Sequence, residues 1–125
     1  MILSGNETNT LPKINYDEMA GTVKIEGRSI SSDAEIYFNE FLPYFEDCIK
    51  RKPMDLILNL DLEYFNTKTS KILMSFFNIA KTVENEGFTI KVNWYFEEGD
   101  EDMEDAGGDY ESLTKLDFNI IQKPE

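Results

Sequence analysis

The chain has 125 residues, 41% of them hydrophobic and 13% aromatic, which suits one domain with a real core and argues against a disordered segment. Its 25 acidic and 12 basic residues leave a net charge of −13, so nucleic acid and anionic membrane are poor partners and basic protein surfaces are good ones. With no histidine and one cysteine, the usual serine and cysteine triads, His-containing zinc sites and an internal disulfide are all excluded.

Residues 1–10 are polar and read as a flexible N-terminus ahead of a single domain over 11–125. Lys13 to Tyr16 and Thr22 to Glu26 read as short strands, joined as a hairpin by Asp17 to Gly21. Gly27-Arg28-Ser29 leads away from the second. Ser32 to Lys52 reads as a helix, with Ser32 and Glu35 as a capping box and Pro43 as a kink or break. Cys48 falls on its apolar stripe and reads as a buried small hydrophobe.

Asp55 to Leu62 is nearly continuous in apolar character, which predicts a strand buried on both faces. Thr67 to Glu86 reads as the second helix, with Gly87 at its C-cap. Thr89 to Phe96 alternates as a strand and places Trp94 and Phe96 on one face and Tyr95 on the other. An acidic, glycine-containing loop over 97–111 follows, then a possible short helix and a last strand over Phe118 to Ile121. The expected fold is α/β: one compact domain, a mixed sheet of about five strands and two main helices. The strand–helix–strand unit around Thr67 should join parallel strands. No apolar run is long enough to cross a bilayer and no signal-peptide pattern is present, so the expectation is a cytoplasmic protein.

Two stretches carry candidate chemistry. In Asn66-Thr67-Lys68-Thr69-Ser70, hydroxyl and amide side chains sit where a strand ends and a helix starts. A helix start has unpaired N–H groups and a partial positive charge, so it favours an anion, including a phosphate on Thr67, Thr69 or Ser70. The same residues suit capping, by Asn66 onto Thr69 or by Thr67 onto Ser70. In the acidic loop, Asp100, Asp102, Glu104 and Glu111 fall at positions 1, 3, 5 and 12 of a calcium-loop template. Position 6 is Asp105 where that template needs glycine. A calcium- or small-ligand-binding module using loop 97–111 is therefore the alternative function. Arg28 suits a surface ion pair or a phosphate. Tyr64 and Tyr95 suit core packing or partner contact. No carboxylate pair stands out as an acid and base, so no catalytic residue, metal or cofactor is assigned.

The layout resembles the SiaC-type regulatory phosphoproteins of bacteria. The resemblance rests on Thr10-Leu-Pro12-Lys-Ile14, Gly27-Arg28-Ser29, Tyr64-Phe65-Asn66-Thr67-Lys-Thr-Ser70-Lys71, and Val92-Asn-Trp94-Tyr95-Phe-Glu-Glu-Gly-Asp100. It implies a fold like the anti-sigma-factor antagonists (STAS-like) and a non-enzymatic role in partner switching. It implies phosphorylation of Thr67 by a dedicated protein kinase, with Asn66, Lys68, Thr69 and Ser70 shaping the site, and removal by a PP2C-type phosphatase. It also implies a diguanylate cyclase as a target of the unmodified form, and so cyclic-di-GMP and biofilm control. The family often carries a Tyr-Pro-Glu-Asn-like stretch after Gly-Arg-Ser; this chain has Ile30-Ser-Ser-Asp33.

Overall fold

The computed structural model describes residues 1–124. Its elements run β1 (Ile2–Leu3), β2 (Lys13–Asp17), β3 (Thr22–Ser29), α1 (Ala34–Arg51), β4 (Leu56–Phe65), α2 (Thr67–Glu84), β5 (Ile90–Phe96), α3 (Glu101–Thr114) and β6 (Asp117–Gln122). One mixed sheet holds all six strands in chain order. The β1–β2 and β2–β3 pairings are antiparallel, and β3 through β6 are parallel. Each parallel connection therefore needs a crossover, and α1, α2 and α3 supply them. Crossovers of one hand between strands laid down in one direction put all three helices on one face.

Burial follows that geometry. Val23 and Ile25, Leu58 and Leu60, and Val92 and Trp94 face inward and are at most 1% exposed. Phe38, Phe41 and Phe45 of α1 and Phe76 and Phe77 of α2 close over them without exposure. The Phe45 and Phe76 rings lie 5.2 Å apart and tilted, a packing that adds to the ~1.5–3 kcal/mol of each buried side chain. The outward face is polar. One row across it pairs Asn15, Lys24, Asn59, Asn93 and Asn119. Its amides are linked, Asn93 to Asn59 at 2.9 Å and Asn119 to Asn93 at 3.1 Å.

Several expectations need correction. The sheet has six strands, not five, because Ile2–Leu3 pairs with Ile14 and Asn15 in the segment read as loose. The Met1 ammonium also donates to the Tyr16 carbonyl at 2.8 Å. Strand β4 is buried on one face only, with Ile57 43% exposed, since every helix lies on the other side. Helix α1 starts at Ala34 after Asp33, and no side chain caps it, so the Ser32–Glu35 capping box does not form. It runs through Pro43, which occupies an exposed position while Phe38, Phe41, Phe45 and Ile49 anchor the buried side. Cys48 is half-buried, not fully buried.

The largest correction concerns 97–111. Most of this stretch is helix α3, packed on β5 and β6. Trp94 Nε1 donates to the Met103 carbonyl at 2.8 Å, and Gly107 lies against the indole so closely that a Cβ would sit 2.6 Å from Cδ1. The calcium template therefore fails on conformation. In a helix, residues spaced by two point about 200° apart and cannot converge on one ion as loop ligands do. Asp100 instead caps the helix, accepting from the Met103 amide at 3.1 Å. Among the described residues no group of three carboxylate or thiol side chains is placed to hold a metal.

Candidate functional site at the start of the second helix

The end of β3, the end of β4 and the start of α2 meet at the C-terminal edge of the parallel strands. A β-bulge shapes the junction. Gly27 pairs with Leu62 but Arg28 pairs with Tyr64, so β4 carries Glu63 as an extra residue. The bulge shifts the alternation by one. Phe65 thereby turns inward, 6.0 Å and edge-on to Trp94, opposite buried Ser29. Tyr64, opposite Arg28, is left 53% exposed. Arg28 is half-buried and, among the described residues, forms no ion pair, contrary to the sequence expectation.

Helix α2 is bolted to β3 at this point. The Asn66 amide donates to the Ser29 carbonyl at 3.1 Å, and Asn66 Oδ1 accepts from the Thr69 amide at 2.9 Å. Of the two caps open to the sequence, Asn66 is the one formed. Thr69 is 2% exposed, and its hydroxyl lies 2.6 Å from the fully buried Ser29 hydroxyl. Ser70 donates its hydroxyl to the Thr67 carbonyl at 2.8 Å. The Tyr110 hydroxyl of α3 donates to the Ser70 carbonyl at 2.7 Å, and burial pushes its pKa up to about 12.

These contacts sort the three candidate hydroxyls. Thr69 is buried and paired, and Ser70 is half-buried and bonded to the backbone. Thr67 is the first residue of the helix and is exposed. A helix start leaves the amides of Thr67 and Lys68 without intrahelical acceptors. No acid lies in the first turn. Lys68 is exposed and pairs with Glu35 of α1 at 3.1 Å. The site is therefore an accessible hydroxyl on a rigid helix start whose free amides favour an anion.

Tyr95 does not join it. Tyr95 faces outward, over a hollow it shares with Lys24, Asn59, Asp61 and Lys123. There Lys123 pairs with Asp61 at 2.9 Å, and the hydrogen bond raises the lysine pKa. Sequence reasoning missed Ser29 as the anchor under Thr69 and Glu35 as the partner of Lys68. Gly27-Arg28-Ser29 drew notice as a run leading away from the strand, but it is the end of β3 itself, and a hydroxyl pair between distant residues leaves no local pattern.

Known proteins of similar sequence and fold identify the family. Residues 5–123 match the family described as SiaC family regulatory phosphoprotein. An uncharacterized protein of Pseudomonas aeruginosa (strain UCBPP-PA14) is 21% identical over 113 residues, which is 90% of each chain. The crystal structure of apo-SiaC from Pseudomonas aeruginosa superposes with a TM-score of 0.82 at 20% identity, over 96% of this chain and 98% of that one. A chain in the crystal structure of diguanylate cyclase SiaD in complex with its activator SiaC, from the same organism, gives 0.86 at 18% identity, over 98% and 99%. At such identities the superpositions establish the fold. The family match, spanning nearly the whole sequence, establishes that this chain belongs to the SiaC family of regulatory phosphoproteins.

Proposed function

We propose that the chain is a non-enzymatic switch whose modified residue is Thr67, and that the unmodified form binds and activates a target such as a diguanylate cyclase. The observation that carries this reading is the contrast among the hydroxyls at the α2 start. Thr67 is exposed, while Thr69 is buried and tied to Ser29. A protein kinase adds the phosphate and a PP2C-type phosphatase removes it. The cyclase target is carried over from the P. aeruginosa pair of SiaD and its activator SiaC. The single domain, with β1 as part of its sheet, is the regulatory unit in this reading.

The physical effect is local. A phosphate adds roughly −1.5 to −2 charges beside the helix start, where the free amides and the dipole favour it. It stabilises the helix that carries it, so the switch acts without unfolding. It also competes with Glu35 for Lys68, which now bridges α1 and α2. The surface offered to a target gains negative charge at that edge. A target responds in proportion to its different affinity for the two forms.

The test is phosphosite mapping by mass spectrometry on protein from its native cell, followed by cyclase assays with variants. One phosphate on Thr67 is expected, with none on Thr67→Ala. Thr67→Ala should still activate the target and Thr67→Glu should activate it less. A Thr67→Ala chain that acquires the same phosphate removes Thr67 from the mechanism.

A further inference from the structure

A second feature of this edge is not used by the switch. A groove of about 160 Å³ lies between the end of β4 and α3. Phe65, Met103 and Ala106 line it together with exposed Tyr64, and Glu63, Asp100 and Asp102 complete the lining. Such a volume is well below the ~300–1,000 Å³ of a pocket for a drug-sized molecule, but it admits the end of one large side chain. The floor is firm on one side, where Phe65 abuts Trp94, and adaptable on the other, where Met103 supplies a flexible thioether.

The charge around it is unbalanced. Glu63 and Asp102 are exposed and, among the described residues, neither has a cation within 4 Å. Asp100 is oriented by its bond to the Met103 amide. Beyond the rim, Glu101, Glu104, Asp105 and Asp109 extend along the exposed side of α3, again without ion pairs among the described residues. Carboxylates elsewhere are often neutralised, as Asp47 is by Arg51 and Asp61 by Lys123. A row of carboxylates without close ion pairs, Glu63 feeling only the more distant Lys123, beside an apolar hollow is complementary to a segment with one apolar anchor and lysine or arginine on either side of it.

We propose that this groove docks a cationic segment of a protein partner, with one apolar side chain seated on Phe65, Met103 and Ala106 and flanking cations on Glu63 and Asp102. This docking site lies outside the Thr67 switch and does not depend on it. Its contact supplies two effects that are separable in an experiment. Burial of the anchor supplies affinity, and the carboxylates supply on-rate and a salt dependence.

The test uses a fluorescein-labelled amphipathic peptide with a central leucine flanked by arginine and lysine, titrated by anisotropy into the full chain. Two analogues replace the leucine by serine or the cations by glutamate. The chain carries either Glu63→Lys with Asp102→Lys, or, as a control of equal charge change, Glu46→Lys with Asp47→Lys on the exposed side of α1. The parent peptide should bind. Both analogues, and the groove variant, should bind at least about tenfold more weakly, and the α1 control much less so. Both variants should still unfold in one cooperative transition, each at a somewhat lower temperature, since the α1 control loses its pairs with Lys50 and Arg51 and the groove variant places a lysine in the first turn of α3. The proposal is overturned if the parent peptide does not bind, if the serine analogue binds as well, or if the α1 control weakens binding as much as the groove variant. The last two results would describe diffuse attraction to an acidic chain. None of these outcomes alters the result of phosphosite mapping at Thr67, so the two readings fail independently.

Discussion

Helices α2 and α3 both begin at the C-terminal edge of the parallel strands, and both begin in the same way. Asn66 caps the Thr69 amide and Asp100 caps the Met103 amide, each with a side-chain oxygen three residues back. Beyond the cap the two helices diverge. The first turn of α3 carries Glu101, Asp102 and Glu104, whereas that of α2 carries no acid and includes Lys68. Negative charge belongs at a helix start, so α3 already holds what its dipole favours and α2 does not. In a chain of net charge −13, leaving one helix start without carboxylates keeps a place where added negative charge lowers the free energy. The two helices also differ in attachment. A network of backbone and hydroxyl bonds to Ser29 fixes α2, and close packing on one indole ring fixes α3.

The largest effect expected from breaking this comparison lies in the attachment of α3. A Cβ at Gly107 would stand 2.6 Å from Trp94 Cδ1 and 2.9 Å from Cγ and Nε1. The indole is itself fixed by its bond to Met103, so it cannot step aside. Gly107→Ala should cost about 1–3 kcal/mol in urea unfolding, the range of overpacked cores. Its neighbour supplies the control. A Cβ at Gly108 meets nothing within 4 Å, so Gly108→Ala should stabilise by roughly 0.5–1 kcal/mol through helix propensity. Equal stabilities for the two variants would mean that α3 is not held by the Trp94 contact.

That clamp shows where sequence reading stops. Periodicity revealed α1, α2 and the alternating strand β5, because each buries one regular stripe. It was silent on α3, whose glycines and many carboxylates mimic a loop. Its stripe is short, Met103, Gly107, Tyr110 and Thr114, and one member has no side chain. The helix forms because Gly107 lets the backbone approach Trp94, a tertiary contact with no local signature. The same holds at the start of α2. Asn66 as a cap and Thr67 as a candidate were legible from residue types beside a strand end. Which of the Thr67, Thr69 and Ser70 hydroxyls stays exposed was not legible from pattern alone, since Thr69 is buried against Ser29, 40 residues away. The bulge at Glu63, which decides that Phe65 enters the core while Tyr64 stays out, also comes from pairing and not from composition.

Removing each cap in turn is the next test in size. Asn66→Ala and Asp100→Ala each delete one side-chain acceptor at a helix start, a loss of about 1 kcal/mol. The two should not be equal. Asn66 leaves behind Thr69, whose amide then faces a nearly closed junction. Asp100 is half-buried, and removing it also relieves repulsion among the acids of the first turn. The Asn66 variant should therefore be the more destabilised by chemical denaturation, and the reverse order would show that the acids of α3 rely on Asp100 for their placement.

The smallest effect addresses the charge difference directly. Thr67→Glu adds a carboxylate to a helix start that has none, and Asp102→Asn removes one from a start that has three in its first turn. Both residues are exposed, so packing changes little. Thr67→Glu should raise stability by about 0.3–1 kcal/mol at low salt, with the gain fading as salt is added. Asp102→Asn removes a favourable dipole term but also removes repulsion from Glu101 and Glu104, so its effect should be smaller and close to zero. Thermal unfolding at two ionic strengths reads both. If Thr67→Glu destabilises the chain instead, the α2 start is not a favourable place for an anion. A phosphate there would then act by loosening the helix, and the switch would work through order and not through surface charge.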